Sequence, residues 1–101
     1  MSGNYKKIYD SSINQKESFW KSVSEDIFWY KKPSKILNSS NPPFYKWFED
    51  GETNTCYNAV DVHVEKGRGD KTAIIYDSPI TGTKYKLSYK ELKEKVSIFA
   101  G

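Results

Sequence analysis

The hydrophobic pattern of this chain changes period several times, and each change predicts an element. Phe19, Trp20, Val23 and Ile27 recur at helical spacing, with Lys16, Lys21, Ser22 and Glu25 mainly on the other side. That predicts an amphipathic helix over about 15–25, capped by Ser12 or Asn14 and laying an aromatic stripe on a core. Phe28-Trp29-Tyr30 closes it in an aromatic cluster, and Pro33 pushes Lys32 out of the helical region. Lys35-Ile36-Leu37 reads as a short strand or an extended strip. Asn38 to Pro43 reads as a loop, followed by Phe44, Tyr45, Trp47 and Phe48, four rings within five positions that need a surface to lie against.

Asp50-Gly51 is a turn signal, and Thr53 or Asn54 is a fair N-cap for a helix over 55–66. Helical spacing places Tyr57, Val60 and Val64 on one face. It places Asn54, Asn58, Asp61 and Glu65 on another, a polar row suited to satisfying the backbone of a neighbouring segment. Gly67 ends this helix. Thr72-Ala73-Ile74-Ile75-Tyr76 is a β-branched strand, Asp77 to Thr83 a turn-rich connection, and Lys84-Tyr85-Lys86-Leu87 an alternating return strand, giving a hairpin over 72–87. Ser88-Tyr89-Lys90-Glu91 has the form of a capping box opening a helix over 89–100, with Leu92, Val96 and Phe99 on its apolar side.

Residues 1–12 are polar and are expected to be a loosely ordered terminus. The expected organisation is therefore this terminus, a wrapping segment over 13–66, and the start of a larger α/β domain over 67–101. In isolation such a piece is α+β: amphipathic helices, an aromatic-rich extended segment, and one two-stranded hairpin followed by a helix. A lone hairpin is marginally stable, and the last helix is still in its apolar register where the sequence stops. The expectation is an incomplete domain.

Composition sharpens this picture. Of 101 residues, 37% are hydrophobic and 16% aromatic, so apolar content leans on rings that are comfortable half-wet. That suits a chain that covers another surface. A net charge of +3 comes from 16 basic and 13 acidic residues that are scattered, and Arg68 is the only arginine. Nucleic-acid readout favours clustered Arg, so no nucleic-acid partner is expected. No run approaches the roughly 18 apolar residues of a membrane span, so no membrane partner is expected either. The absence of a signal core or clear transit pattern leads to an expected cytoplasmic location, with the mitochondrial matrix as the other compartment considered.

Candidate chemistry is sparse. Cys56 is the only cysteine, so no internal disulfide forms; near a helix start it is read as a buried, inert thiol without a base. His63 is the only histidine, without the second His or Cys of a metal site, and is read as a packed or surface residue. Asn38-Ser39-Ser40 has the form of a glycosylation sequon, with no secretory route to give it meaning. Gly3, Gly51, Gly67, Gly69, Gly82 and Gly101 form no phosphate-cradling pattern. No catalytic, cofactor-binding or metal-ligating residue is assigned.

The wording of the chain resembles one family. In order, the matching phrases are Phe19-Trp20, Phe28-Trp29, Trp47-Phe48, Asp50-Gly51, the specific block Asn54-Thr55-Cys56-Tyr57-Asn58-Ala59-Val60-Asp61, then His63-Val64, the run from Gly69 to Pro79, and Leu87-Ser88-Tyr89-Lys90-Glu91-Leu92. From about Tyr9 onward they resemble the N-terminal region of AMP-forming short-chain acyl-CoA synthetases. The Ile75-Tyr76-Asp77-Ser78-Pro79-Ile80-Thr81 run looks nearer the propionate-activating branch than the acetate one. Val62 departs from the family, which usually places Arg between the Asp and the His, so a salt bridge from that position is unavailable here.

The resemblance implies a full enzyme several times longer that joins acetate or propionate to CoA using ATP and Mg²⁺. The motifs for that chemistry lie outside the matched region, so ATP, Mg²⁺ and CoA are implied for the family and none for this chain. The implied partner is the remainder of a synthetase polypeptide, or a synthetase subunit. The alternative is a free-standing truncated paralogue that acts as an interaction module on a synthetase.

Overall fold

The computed structural model describes residues 2–101. They form a mixed α/β chain of helices and two small two-stranded sheets, divided into two compact units, Met1–Thr53 and Asn54–Gly101.

Unit one opens with α1 (Ser2–Asn14) and α2 (Lys16–Ser24). The first is a correction: a helix occupies the stretch expected to be a loose terminus, and Met1 lies outside the described residues. Its signals are local, with Lys6 paired to Asp10 one turn on at 2.6 Å and the rings of Tyr5 and Tyr9 stacked at 6.1 Å. The two helices break at Gln15, whose φ of −128° and ψ of 48° are non-helical. Neither Ser12 nor Asn14 caps α2: Ser12 Oγ donates instead to Tyr9 O at 2.7 Å, inside α1. The expected stripe on α2 is mostly open to solvent. Phe19 is half-buried, whereas Trp20 and Val23, and Ile27 beyond the helix, are exposed; the buried residue of α2 is Ser24.

The rest of unit one is a loop drawn shut at its neck. Tyr30 N donates to Glu52 O at 2.8 Å, Glu52 N to Lys31 O at 2.9 Å, and Thr53 Oγ1 to Phe28 O at 2.6 Å. Inside the loop, β1 (Leu37–Asn38) and β2 (Lys46–Trp47) pair antiparallel, Leu37 facing Trp47. β1 overlaps, at Leu37, the strip read as a short strand or extended; its partner β2 was not expected, because a two-residue strand is too short to show an alternation.

Unit two is built on a helical stretch, a hairpin and α3 (Tyr89–Ala100). The stretch expected as a regular helix over 55–66 instead carries two π-helical turns, Tyr57–Asp61 and Val64–Arg68. The Val62 amide donates to Tyr57 O, five residues back. The wider turn rotates the buried face, so the core holds Val60 and Val62, 7% and 8% exposed, while Val64 and Tyr57 are half-buried. Asn54 supplies the N-cap, its Oδ1 accepting from Tyr57 N at 2.9 Å. Gly67 sits at φ 79°, a left-handed conformation that breaks the second turn and that a Cβ would strain.

The hairpin pairs β3 (Thr72–Ser78) with β4 (Thr83–Ser88) antiparallel, Tyr76 opposite Tyr85 and Ile74 opposite Leu87. Ser88 caps α3 by the expected box: its Oγ accepts from Glu91 N at 3.2 Å, and Glu91 Oε2 accepts from Ser88 N at 2.8 Å. Leu92 and Val96 are half-buried, but Phe99, expected on the same side, is 94% exposed: the last turn of α3 runs past anything it could pack on among the described residues. No helix is long and apolar enough to cross a membrane among the described residues.

Candidate docking surface

The two side chains singled out for chemistry, His63 and Cys56, lie in unit two. His63 is half-buried, its Nδ1 2.6 Å from Arg68 Nη2 and its ring 4.9 Å from that of Tyr89. A guanidinium only donates, so Nδ1 is the acceptor, and the histidine serves as a clasp between the π-helical stretch and the start of α3. Cys56 corrects its expectation: it is exposed, because the buried face of this stretch is taken by Val60 and Val62.

The polar row bonds within its own stretch and reaches α3. Asn58 Nδ2 donates to Asn54 O at 2.9 Å, Asp61 lies 3.5 Å from Lys93 Nζ, and the Tyr57 hydroxyl donates to Glu65. No group of three or more His, Cys, Asp and Glu side chains suited to a metal ion exists among the described residues.

What unit one does present is an aromatic surface. Trp29 anchors it: Nε1 donates to Ser24 O at 2.8 Å, and the indole packs on Phe48 at 5.6 Å. Gly51 lies directly beneath, where a Cβ would come within 2.7 Å of Trp29 Cζ3. Phe48 itself sits at φ 50°, an uncommon conformation for a bulky residue. Three contacts hold it there: its N–H donates to Ile36 O at 2.9 Å, its carbonyl accepts from Gly51 N at 3.0 Å, and its ring lies between Trp29 and Trp47. Phe48 is therefore turned inward, and of the four-ring cluster only Phe44, Tyr45 and Trp47 are exposed, at 73%, 53% and 43%. Trp47 meets Trp20 edge-on at 6.2 Å. An open groove of about 340 Å³ runs beside them, with Ile13, Lys16, Trp20, Leu37, Tyr45 and Trp47 among its lining.

The loop that offers these rings is held by carboxylates. Asp50 accepts the Ser34 amide with both oxygens, at 3.0 and 3.2 Å, and these bonds hold its carboxyl below the usual range. Glu49 is lowered first by its bond from the Asn38 amide, 3.0 Å, and then by Lys46, whose own ammonium is raised by Glu49. A carboxyl lowered in the folded state means that the unfolded chain binds more protons, so stability rises with pH across that window. The contribution of these two carboxylates to unit one should be fully present above the ordinary carboxylate range and be lost as pH falls through the depressed values. Melting curves followed by tryptophan fluorescence check this, and Asp50→Asn should flatten the acid limb.

The comparison with known proteins decides what kind of chain carries this surface. Residues 5–59 match the family model described as acetyl-coenzyme A synthetase N-terminus. The chain belongs to that family. Members similar to it include acyl-CoA synthetase short-chain family member 3, mitochondrial, of Mus musculus, 52% identical over 99 residues that make up 98% of this chain and 14% of the relative. The protein of the same name from Homo sapiens is 50% identical over 97 residues, 96% of this chain and 14% of its own length. Acetyl-coenzyme A synthetase of Cupriavidus metallidurans is 48% identical over 97 residues, 95% of this chain and 14% of its own length. This chain thus corresponds to the N-terminal region of acyl-CoA synthetases and spans about one-seventh of the relatives' length.

Proposed function

We propose that this chain is the non-catalytic N-terminal portion of a short-chain acyl-CoA synthetase, an incomplete domain whose apolar surface is covered by the remainder of such an enzyme. The supporting observation is the mismatch between core and surface. Only Val60 and Val62 are buried apolar side chains among the described residues, while Phe44, Tyr45, Trp47, Ile75, Ile98 and Phe99 stand open. Exposed apolar area on this scale marks an interaction site. The relatives whose N-terminal region this chain matches are named as synthetases and extend far beyond it.

The full enzyme's substrates, in this reading, are acetate or propionate, ATP and CoA. The Ile75-to-Thr81 run supports propionate. No adenylation step is assigned to this chain. The names of the mammalian relatives support a mitochondrial enzyme.

The test is to incubate the purified chain with ATP, Mg²⁺, CoA and either acetate or propionate, and to measure AMP release. No release above the buffer rate is expected. Turnover that scales with chain concentration would contradict a non-catalytic role.

A further inference from the structure

The base of the ring-bearing loop in unit one closes on a single serine. The half-buried Asp50 accepts the Ser34 amide at 3.0 and 3.2 Å, and the Ser34 side chain bonds the same carboxylate. This brace joins residues sixteen positions apart, beside the neck bonds between Lys31 and Glu52. Ser34 is nonetheless exposed, and it lies in neither helix nor strand. Pro33 before it holds Lys32 away from the helical region. Lysines stand at 31, 32 and 35, all exposed, and neither Lys32 nor Lys35 is in a salt bridge among the described residues. Of the described serines outside helices, only Ser34 has three lysines within three positions. An accessible hydroxyl, an irregular backbone and free cations around it are what a phosphate acceptor needs.

We propose that Ser34 is a phosphorylation site, modified with ATP by a protein kinase that reads basic residues around its target serine, and that the phosphate releases the loop from Asp50. In the transfer, Ser34 Oγ bonds to the γ-phosphorus of ATP as the bond from that phosphorus to the β,γ-bridging oxygen breaks. ADP leaves, and the hydroxyl proton passes to the base of the kinase. The product carries about −1.5 to −2 charge at pH 7. Lys31, Lys32 and Lys35 supply cations for it, whereas the Asp50 carboxylate stands against it at hydrogen-bond distance. Like charges that close repel, so Asp50 is driven off and the Ser34 amide loses its acceptor. The loop that carries Phe44, Tyr45 and Trp47 then comes free at its base, and the aromatic surface is placed under the control of one modification.

The test treats the full chain, its Ser34→Ala variant and a synthetic peptide of residues 28–38 with ATP, Mg²⁺ and the catalytic subunit of cyclic-AMP-dependent protein kinase, which reads basic residues before its serine. The modified position is mapped by mass spectrometry, and hydrogen exchange is followed on the phosphorylated chain. Expected are one phosphate on the chain, at Ser34, and none on Ser34→Ala. In the phosphorylated chain the amides of Ser34 and Phe48 exchange at least about tenfold faster, while that of Val60 in unit two is unchanged. Ser34→Ala, which keeps the amide bond to Asp50, exchanges at Phe48 like the unmodified chain. A labelled peptide with an unlabelled chain means that the fold withholds Ser34 and overturns the site. Label on neither, or on the chain only at another serine, overturns it too. Full label at Ser34 with exchange unchanged overturns the release of the loop from Asp50.

Discussion

Replacing Trp29 with alanine is expected to unfold unit one at temperatures where unit two remains folded. The indole ties the end of α2 to the loop at three points: it donates to Ser24 O, packs on Phe48 and fills the space over Gly51. Removing it leaves a cavity and takes away the support that keeps Phe48 in its left-handed conformation. Core Trp→Ala changes cost about 3–5 kcal/mol. Trp29 is half-buried, so a loss near the lower end, about 3 kcal/mol, is expected. With so small an apolar core, that is a large part of what holds the unit. Trp29→Phe should recover most of the packing but not the bond to Ser24. Thermal unfolding followed separately by fluorescence, which reports the rings of unit one, and by far-UV dichroism checks the ordering of the variants.

Val60→Asp should be comparably severe for unit two. Val60 is one of the two buried apolar residues among the described ones, 7% exposed, so a carboxylate there would be taken out of water. Burying an unpaired charge is among the few changes that cost several kcal/mol, here about 3 kcal/mol or more. The matched control is Ile80→Asp in the hairpin turn, where Ile80 is 95% exposed and a surface change should stay within about 0.5 kcal/mol. Equal effects at the two positions would mean that the core of unit two is misplaced.

The features legible in the sequence were those with local and exclusive signals. Ser88 and Glu91 stand at the one spacing that lets each satisfy the other's orphan amide, and the structure has that box. The alternation of Lys84-Tyr85-Lys86-Leu87 against a β-branched run fixes a hairpin, because slipping the register by one would reverse every side chain. Asp50-Gly51 marks a turn, and Gly51 is needed there for a reason visible only in space, the ring of Trp29 above it.

Other features carry no such signal. The π-helical turns change which valines are buried, yet apolar positions at 57, 60, 62 and 64 are compatible with more than one period, so the role of Val62 as a core residue could not be read. α1 was hidden by its polar composition; the Lys6–Asp10 spacing was the clue. Phe48 turns inward because its neighbours hold an unusual backbone conformation, which no pattern of types encodes. Cys56 is exposed for the same reason that Val62 is buried. The docking surface was legible as a cluster of rings, while its anchor, Trp29, and the member that faces inward, Phe48, were set by tertiary contacts.

The central claim is that this chain serves a synthetase without performing its chemistry. The most direct measurement is acyl-CoA formation by three proteins: the mouse relative with its matched 99 residues deleted, the chimera in which this chain replaces them, and this chain alone. The account predicts a rate from the chimera well above that of the deletion, and none from the chain alone. A chimera no better than the deletion would contradict it.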